Sequence, residues 1–448
     1  MLFGSGFDTR YAVLGALALG STIILLIDSV TELKPAMTTD IVLGLQQVNS
    51  RNQSIMTEDI QVGSDVYWRS PRRQSEMMSE IQSINTDLQK ALQLQGSATG
   101  TTVRRAILLF LPSDPPKFAT ELKSFYLSLA VMRSKQPESI RTDLFVFTPG
   151  TKVDGIASDF GCAKEVPAGW TERQQCIVIS HEPLKGRAVP PGEPGSPLVG
   201  YAYYIDSMLI LSEFAYASRY DYLTRTDIDT FLTPGFANWT LPQGVHLAPG
   251  HGGYGHQNVN KHLSWLMTKK LGLRDEGMRG IGSTWYGRSH SMVAAARLTV
   301  AVMKWLHTQE FSEYEKLHAG TDSWPYWHWP VILLYGGHVA VNQIPKDKLL
   351  IDRPSEAELD KPTSATDLLL ENAKHLHCYQ SPDFFSKLRF HMGQYKNLSL
   401  VPYASLNTTQ AYAGVIGISS DRLSLEELRD IIDKPSLEAK DWQRLEPK

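Results

Sequence analysis

Apolar residues along the chain fall into short unbroken runs and longer helical stripes. The runs at 106–111, 143–147 and 176–179 are stopped by turn formers such as Pro112-Ser113-Asp114 and Thr148-Pro149-Gly150. Continuous apolar runs of this length predict strands buried on both faces, as in a parallel sheet. Residues 220–225 read as a fourth strand. Between the strands, 116–134 places Leu122, Phe125, Leu129 and Met132 at helical spacing, and 201–219 does the same with Ile205, Met208 and Leu209. Further helices are expected at 258–270 and 289–308. Strand and helix in alternation predict a three-layer α/β body around a mainly parallel sheet.

One run is of another kind. Residues 11–27 carry no charge and are flanked by Arg10 and Asp28. Seventeen residues stand at the lower edge of what spans a bilayer as a helix. The run reads as an uncleaved signal anchor with the N-terminus inside, and a cleaved signal peptide is the rival reading. The polar, Ser/Gln/Asn-rich stretch behind it ends in Gly96-Ser97-Ala98-Thr99-Gly100 and reads as a stem. The expected organisation is therefore a tail (1–10), an anchor (11–27), a stem (28–102), a catalytic body (103–345) and a C-terminal, helical extension (346–448) of weaker signals.

Charge and cysteine content narrow this picture. Lys and Arg number 44 against 47 Asp and Glu, a net charge of −3, so no basic excess exists to neutralise a nucleic-acid backbone. Three cysteines are too few for a disulfide scaffold. Asn52, Asn238, Asn397 and Asn407 each begin an N-x-[ST] sequon. They suit a body in the secretory lumen, where Cys162 and Cys176 can form a disulfide. The expected location is the Golgi or ER membrane, with a single pass and a luminal body.

The candidate chemistry centres on Asp227 and Asp229, one residue apart just after the strand at 220–225. In an α/β sheet, ligands bind beyond the carboxyl ends of the strands. Two carboxylates at D-x-D spacing there can hold Mn²⁺ or Mg²⁺, which take oxygen ligands and keep positions for substrate phosphates.

A strand ending in D-x-D, within such a body and behind an anchor and stem, resembles the GT-A class of nucleotide-sugar glycosyltransferases. The resemblance covers about residues 101–345. It extends to an uncharacterised GT-A-like group with strand-D-x-D-x-Phe-Leu, here Asp227 to Leu232, and Trp-Pro-x-Trp-His, here Trp324 to His328. It implies a UDP- or GDP-linked sugar donor and a glycan, protein or lipid acceptor. Asp227 and Asp229 would hold the metal on the donor diphosphate, with Asp114 and Arg225 also on the donor side. Such enzymes often add a later histidine, for which His338 is the first choice, ahead of His328, His246, His251 and His256. Asp322 is the candidate general base. Trp324, Trp327 and His328 are candidates for a sugar platform, against packing as the plainer use of aromatic clusters. Residues 250–255 are a candidate mobile loop.

His375, His377 and Cys378 spell His-x-His-Cys, but no second pair at ligand spacing accompanies them, so no zinc site is read there. The alternatives to a transferase are a non-catalytic luminal carbohydrate-binding or scaffold protein of the same fold, and a metal-dependent hydrolase.

Overall fold

The computed structural model describes residues 67–94, 102–112, 117–166, 168, 175–188, 195–201, 204–252, 255–318, 327–350, 359–363, 370–378, 386–395 and 408–432. The anchor, most of the stem, Asp114, Asp322, Trp324, Asn52, Asn397 and Asn407 lie outside these residues. Among the described residues, no helix is long and apolar enough to cross a membrane.

The six-stranded sheet is built on β1 (Val103–Phe110), β2 (Ile140–Thr148), β3 (Cys176–Ser180) and β4 (Tyr222–Arg225), which run parallel in the order β3-β2-β1-β4. Two more strands, β6 (Leu247–His251) and β7 (Ile281–Arg288), extend it as β4-β7-β6. Only β7 runs against the rest, since it is antiparallel to both of its neighbours. Alternate residues serve the two faces. Ala106, Leu108, Phe110, Phe145 and Phe147 enter one core, and Ile107, Leu109, Leu144 and Val146 enter the other.

On the first face lie α4 (Asp206–Ser212), α6 (Ser289–Trp305) and α8 (Ile332–Val341). On the second lie α2 (Lys117–Ser134), α3 (Val153–Phe160) and α10 (Thr409–Arg422). The body is thus the expected three-layer α/β arrangement. Cys162 and Cys176 form a disulfide that ties the end of α3 to the start of β3.

Four expectations need correction. First, the stem boundary fails, because α1 (Pro71–Ala91) packs against α6 through Met77, Ile81 and Leu88. Ser70 caps this helix and Pro71 stands in its first turn, a favourable start. Second, Arg105, which with Arg104 precedes the first apolar run and reads from the sequence as solvated or membrane-near, is not at the surface. It is fully buried in β1 and donates to the carbonyls of Phe236, Ala237 and Trp239, to Gln136 and to Thr142. Third, the apolar run from Val331 to Gly337, whose sequence suits a strand ending just before His338, lies mostly in helix α8. An apolar run of this length does not distinguish a buried strand from a buried helix.

Fourth, the C-terminal extension is no satellite. β5 (Thr230–Leu232), directly after the D-x-D pair, joins β8 (Lys361–Pro362) and β9 (His375–His377) in a second sheet of order β5-β9-β8. Thr230 lies opposite His377 in that antiparallel pairing. Residues far downstream of 345 therefore complete the ground around the end of β4.

Candidate active site

Asp227 and Asp229 leave the sheet at the carboxyl end of β4, where the parallel strands open towards solvent. The turn is held by its own polar groups. Thr230 Oγ1 donates to the Asp227 carbonyl at 2.7 Å, and the Cys378 amide donates to the Asp229 carbonyl at 2.9 Å. The second bond is part of the β5–β9 pairing, so the strand that follows the carboxylates also brings His377 to them.

Asp227, Asp229 and His377 each offer one ligand atom, and the three atoms lie within 4.8 Å of one another. His377 Nε2 is 3.6 Å from Asp229 Oδ2. The same oxygen lies 2.6 Å from Lys387 Nζ, on the short helix α9 (Lys387–His391). Lys387 also faces the buried carboxylate of Glu121 at 3.8 Å, and Glu121 is 2.8 Å from His391 Nε2. Arg225, fully buried, holds Asp227 at 3.1 Å and donates to Ser207 and to the Ser283 carbonyl. Asp227, Asp229, His377, Lys387, Glu121 and Arg225 line a cleft of about 260 Å³ together with Phe110, Tyr204 and His251.

The electrostatics follow from burial set against charge. Burial alone would raise the Asp229 carboxyl, but Lys387 and His377 outweigh it and hold it well below the usual carboxylate range. Burial disfavours the His377 imidazolium, yet Asp229 and Asp360 raise it well above an ordinary histidine. Burial likewise opposes the Lys387 charge, and Asp229 and Glu121 more than restore it. His375, wholly buried, is pushed down to about 4 by desolvation.

A family model described as "Domain of unknown function (DUF7164)" matches residues 99–444. The chain belongs to the DUF7164 family. That match runs from just before β1 through the second sheet, so all the groups above fall within the DUF7164 domain. No curated protein matches the chain significantly.

Among solved structures, the glycosyltransferase GlyE of Streptococcus pneumoniae TIGR4 is 8% identical with a TM-score of 0.28, over 55% of this chain and 45% of that one. The bifunctional glycosyltransferase WbbM is 11% identical at 0.33, over 72% and 50%. The galactosyltransferase LgtC, solved with donor and acceptor sugar analogues, is 11% identical at 0.34, over 76% and 99%. The chain spans about half the length of the first two. Likeness this loose decides neither fold nor activity, so the geometry of the DUF7164 domain has to carry its functional reading.

Of the residues singled out from the sequence, Asp227, Asp229 and Arg225 meet in the cleft. His338 does not. It sits inside α8, buried and pushed down to about 4 by desolvation, and is absent from the ligand group. His328 is buried, its amide donates to the Tyr335 hydroxyl at 3.2 Å, and it does not line the cleft. Trp327 stacks on Phe311 and Tyr335 at 4.5 and 5.0 Å and meets His262, so its ring serves packing and offers no sugar platform. His246 is buried against Ser291. Of the candidate loop 250–255, Gly250 and His251 belong to β6 and the Gly252 amide donates to the Gly280 carbonyl just before β7, while residues 253 and 254 lie outside the described residues.

The groups that sequence reasoning missed are His377, Asp360 and Lys387. Only His-x-His gave a signal. On its own the motif lacks a second pair at ligand spacing; the fold supplies that pair as Asp227 and Asp229, in the turn between β4 and β5.

Proposed function

We propose that the DUF7164 domain is a metal-dependent glycosyltransferase that takes a nucleotide-diphosphate sugar as donor. The observation that carries this reading is the convergence of Asp227, Asp229 and His377 at the carboxyl end of β4, in a cleft flanked by Arg225 and Lys387. Two carboxylates and an imidazole suit a divalent cation of the Mn²⁺ or Mg²⁺ type, and the imidazole favours Mn²⁺. Such a cation, when bound, neutralises the charge that develops on the departing diphosphate.

The chain's own groups do the rest. Asp227 is oriented by Arg225, whose guanidinium is in turn anchored to Ser207 and the Ser283 carbonyl. Arg225 and Lys387 supply positive charge along the wall where an anionic leaving group would lie. Glu121, buried behind Lys387, keeps that ammonium charged and in place. The acceptor is a glycan, protein or lipid, and Asp322 remains the proposed base. A secretory location behind the 11–27 anchor is supported by the Cys162–Cys176 disulfide and by the exposed sequon residue Asn238.

One observation favours a second reading. Lys387 already lies 2.6 Å from Asp229 and satisfies it without a metal. A domain that binds nucleotide or glycan without transfer would have this arrangement.

Thermal melting of the full chain with UDP, GDP and their sugars, with and without Mn²⁺, separates the two, since a ligand of the native state raises its melting temperature. The transferase reading expects a shift with one nucleotide that needs Mn²⁺ and disappears in Asp229→Ala and His377→Ala. A shift indifferent to Mn²⁺ and to Asp229→Ala favours the binding protein. No shift with any nucleotide sinks the donor site.

A further inference from the structure

Behind the proposed ligand His377 lies a carboxylate that neither the D-x-D motif nor the cleft explains. Asp360 is buried, and its backbone is in the left-handed region, φ 54°. A non-glycine residue there carries a conformational cost that something must offset. Two glycines make room for it. A Cβ on Gly250 would come within 2.2 Å of Asp360 Oδ2, and one on Gly282 within 2.4 Å. The sheet is thus hollowed at β6 and β7 to admit this one side chain.

Each polar atom of Asp360 has a direction. Oδ2 accepts from the Thr284 amide at 2.9 Å. The Asp360 amide donates to His375 Nδ1 at 3.2 Å, so that nitrogen is the acceptor and His375 Nε2 carries the proton towards Thr226 Oγ1 at 2.8 Å. His375 Nδ1 therefore has no proton to give to Oδ1, although the two lie 3.6 Å apart. Among the described residues, buried Oδ1 accepts no hydrogen bond of good geometry; the donor left facing it is His377 Nδ1, in an ion-pair contact at 3.4 Å. With Nδ1–H committed to Asp360, the proton that must leave for a cation to bind is the one on Nε2, which faces Asp229.

We propose that Asp360 is a positioning residue: it holds His377 in the Nδ1–H tautomer with Nε2 turned to Asp227 and Asp229, and His375 locks Asp360 in place. The proposal rests on the metal-site reading above. Outer carboxylates of this kind orient a metal-binding imidazole and raise its basicity, and losing one typically costs about 10–100-fold in metal affinity.

The test is Mn²⁺ titration of the full chain, with free Mn²⁺ followed by its paramagnetic resonance signal, together with melting in EDTA. Asp360→Asn keeps the shape but can accept from Thr284 or from His377 Nδ1, not from both. Its Mn²⁺ affinity should fall about 10–100-fold, while melting in EDTA should show a domain that still folds cooperatively and is modestly less stable, since His377 has lost one of its two counter-charges. Asp360→Gly suits the positive φ and should fold. It leaves a cavity in which added formate should restore Mn²⁺ affinity, an effect that a purely structural role would not produce. Unchanged affinity in Asp360→Asn overturns the proposal, and so does a loss of affinity in Asp360→Gly that formate leaves untouched. If wild type and Asp229→Ala bind Mn²⁺ alike, the metal-site reading itself fails and takes this proposal with it.

Discussion

In the six-stranded sheet, β1 and β2 are packed on both faces mainly by apolar side chains, with buried Arg105 and the Arg141–Asp143 pair as exceptions, whereas the β5-β9-β8 sheet and the residues that lead into it gather Asp229, Asp360, His375 and His377 within one small volume. The first is held by the removal of apolar surface from water, which needs no exact partner. The second is held by charges that are stable only while each has its counter-charge. The division places a rigid platform under the D-x-D turn and a charge-balanced clasp over it. Exchanging one cation for another, Lys387 for a metal, then disturbs the clasp and leaves the platform alone.

The largest break in this comparison is to damage the platform. Phe145 is fully buried in β2 and packs against Phe147, Phe214 and Tyr220. Phe145→Ala should cost about 3–5 kcal/mol through lost burial and a cavity. Urea denaturation should give the same loss in EDTA and in saturating Mn²⁺, because nothing around Phe145 responds to a cation. A loss that Mn²⁺ removes would mean that the two sheets are not energetically separate.

The clasp should behave in the opposite way. Lys387→Met keeps the length of the side chain but leaves Asp229 Oδ2 without its ammonium, at a cost of about 1–3 kcal/mol for a buried charged group losing its hydrogen bond. In saturating Mn²⁺ that cost should vanish, since the cation serves the same oxygen. Mn²⁺ should also bind the variant more tightly than wild type when no nucleotide is present. Equal Mn²⁺ affinity in the two proteins would mean that Lys387 and the cation do not compete for Asp229.

The same division explains what was legible in the sequence. Strands β1 to β4 follow from apolar runs, and the D-x-D pair is readable because it stands at the end of one of them. The clasp is not readable in this way. β9 has three residues, β8 has two, and their pairing with β5 joins distant parts of the chain. His375-Leu376-His377 alternates as a strand does, but three residues are too few for a periodicity to register. Asp360 depends on glycines at 250 and 282, a matter of space rather than of pattern. His338 misleads for the converse reason: its apolar neighbours suit a strand as well as the helix they form.

The smallest expected effect is a pH dependence belonging to His377. In the metal-free domain Asp229 and Asp360 raise its pKa well above the ordinary 6.5. A raised histidine contributes stability that is fully present below about 6.5 and is lost as pH rises through the folded value. The buried neutral histidines 246, 307, 338 and 375, lowered by desolvation to between about 3 and about 4, work the other way and penalise folding as pH falls below 6.5. The difference in EDTA between wild type and His377→Asn cancels them and isolates the one group. That difference in melting temperature should be largest in mild acid and should shrink as pH rises. Mn²⁺ needs the neutral imidazole, so stabilisation by the metal should grow over the same range. A difference in EDTA that stays constant with pH would mean that His377 is already neutral when its two carboxylates stand without a metal. The clasp would then be held by Lys387 alone.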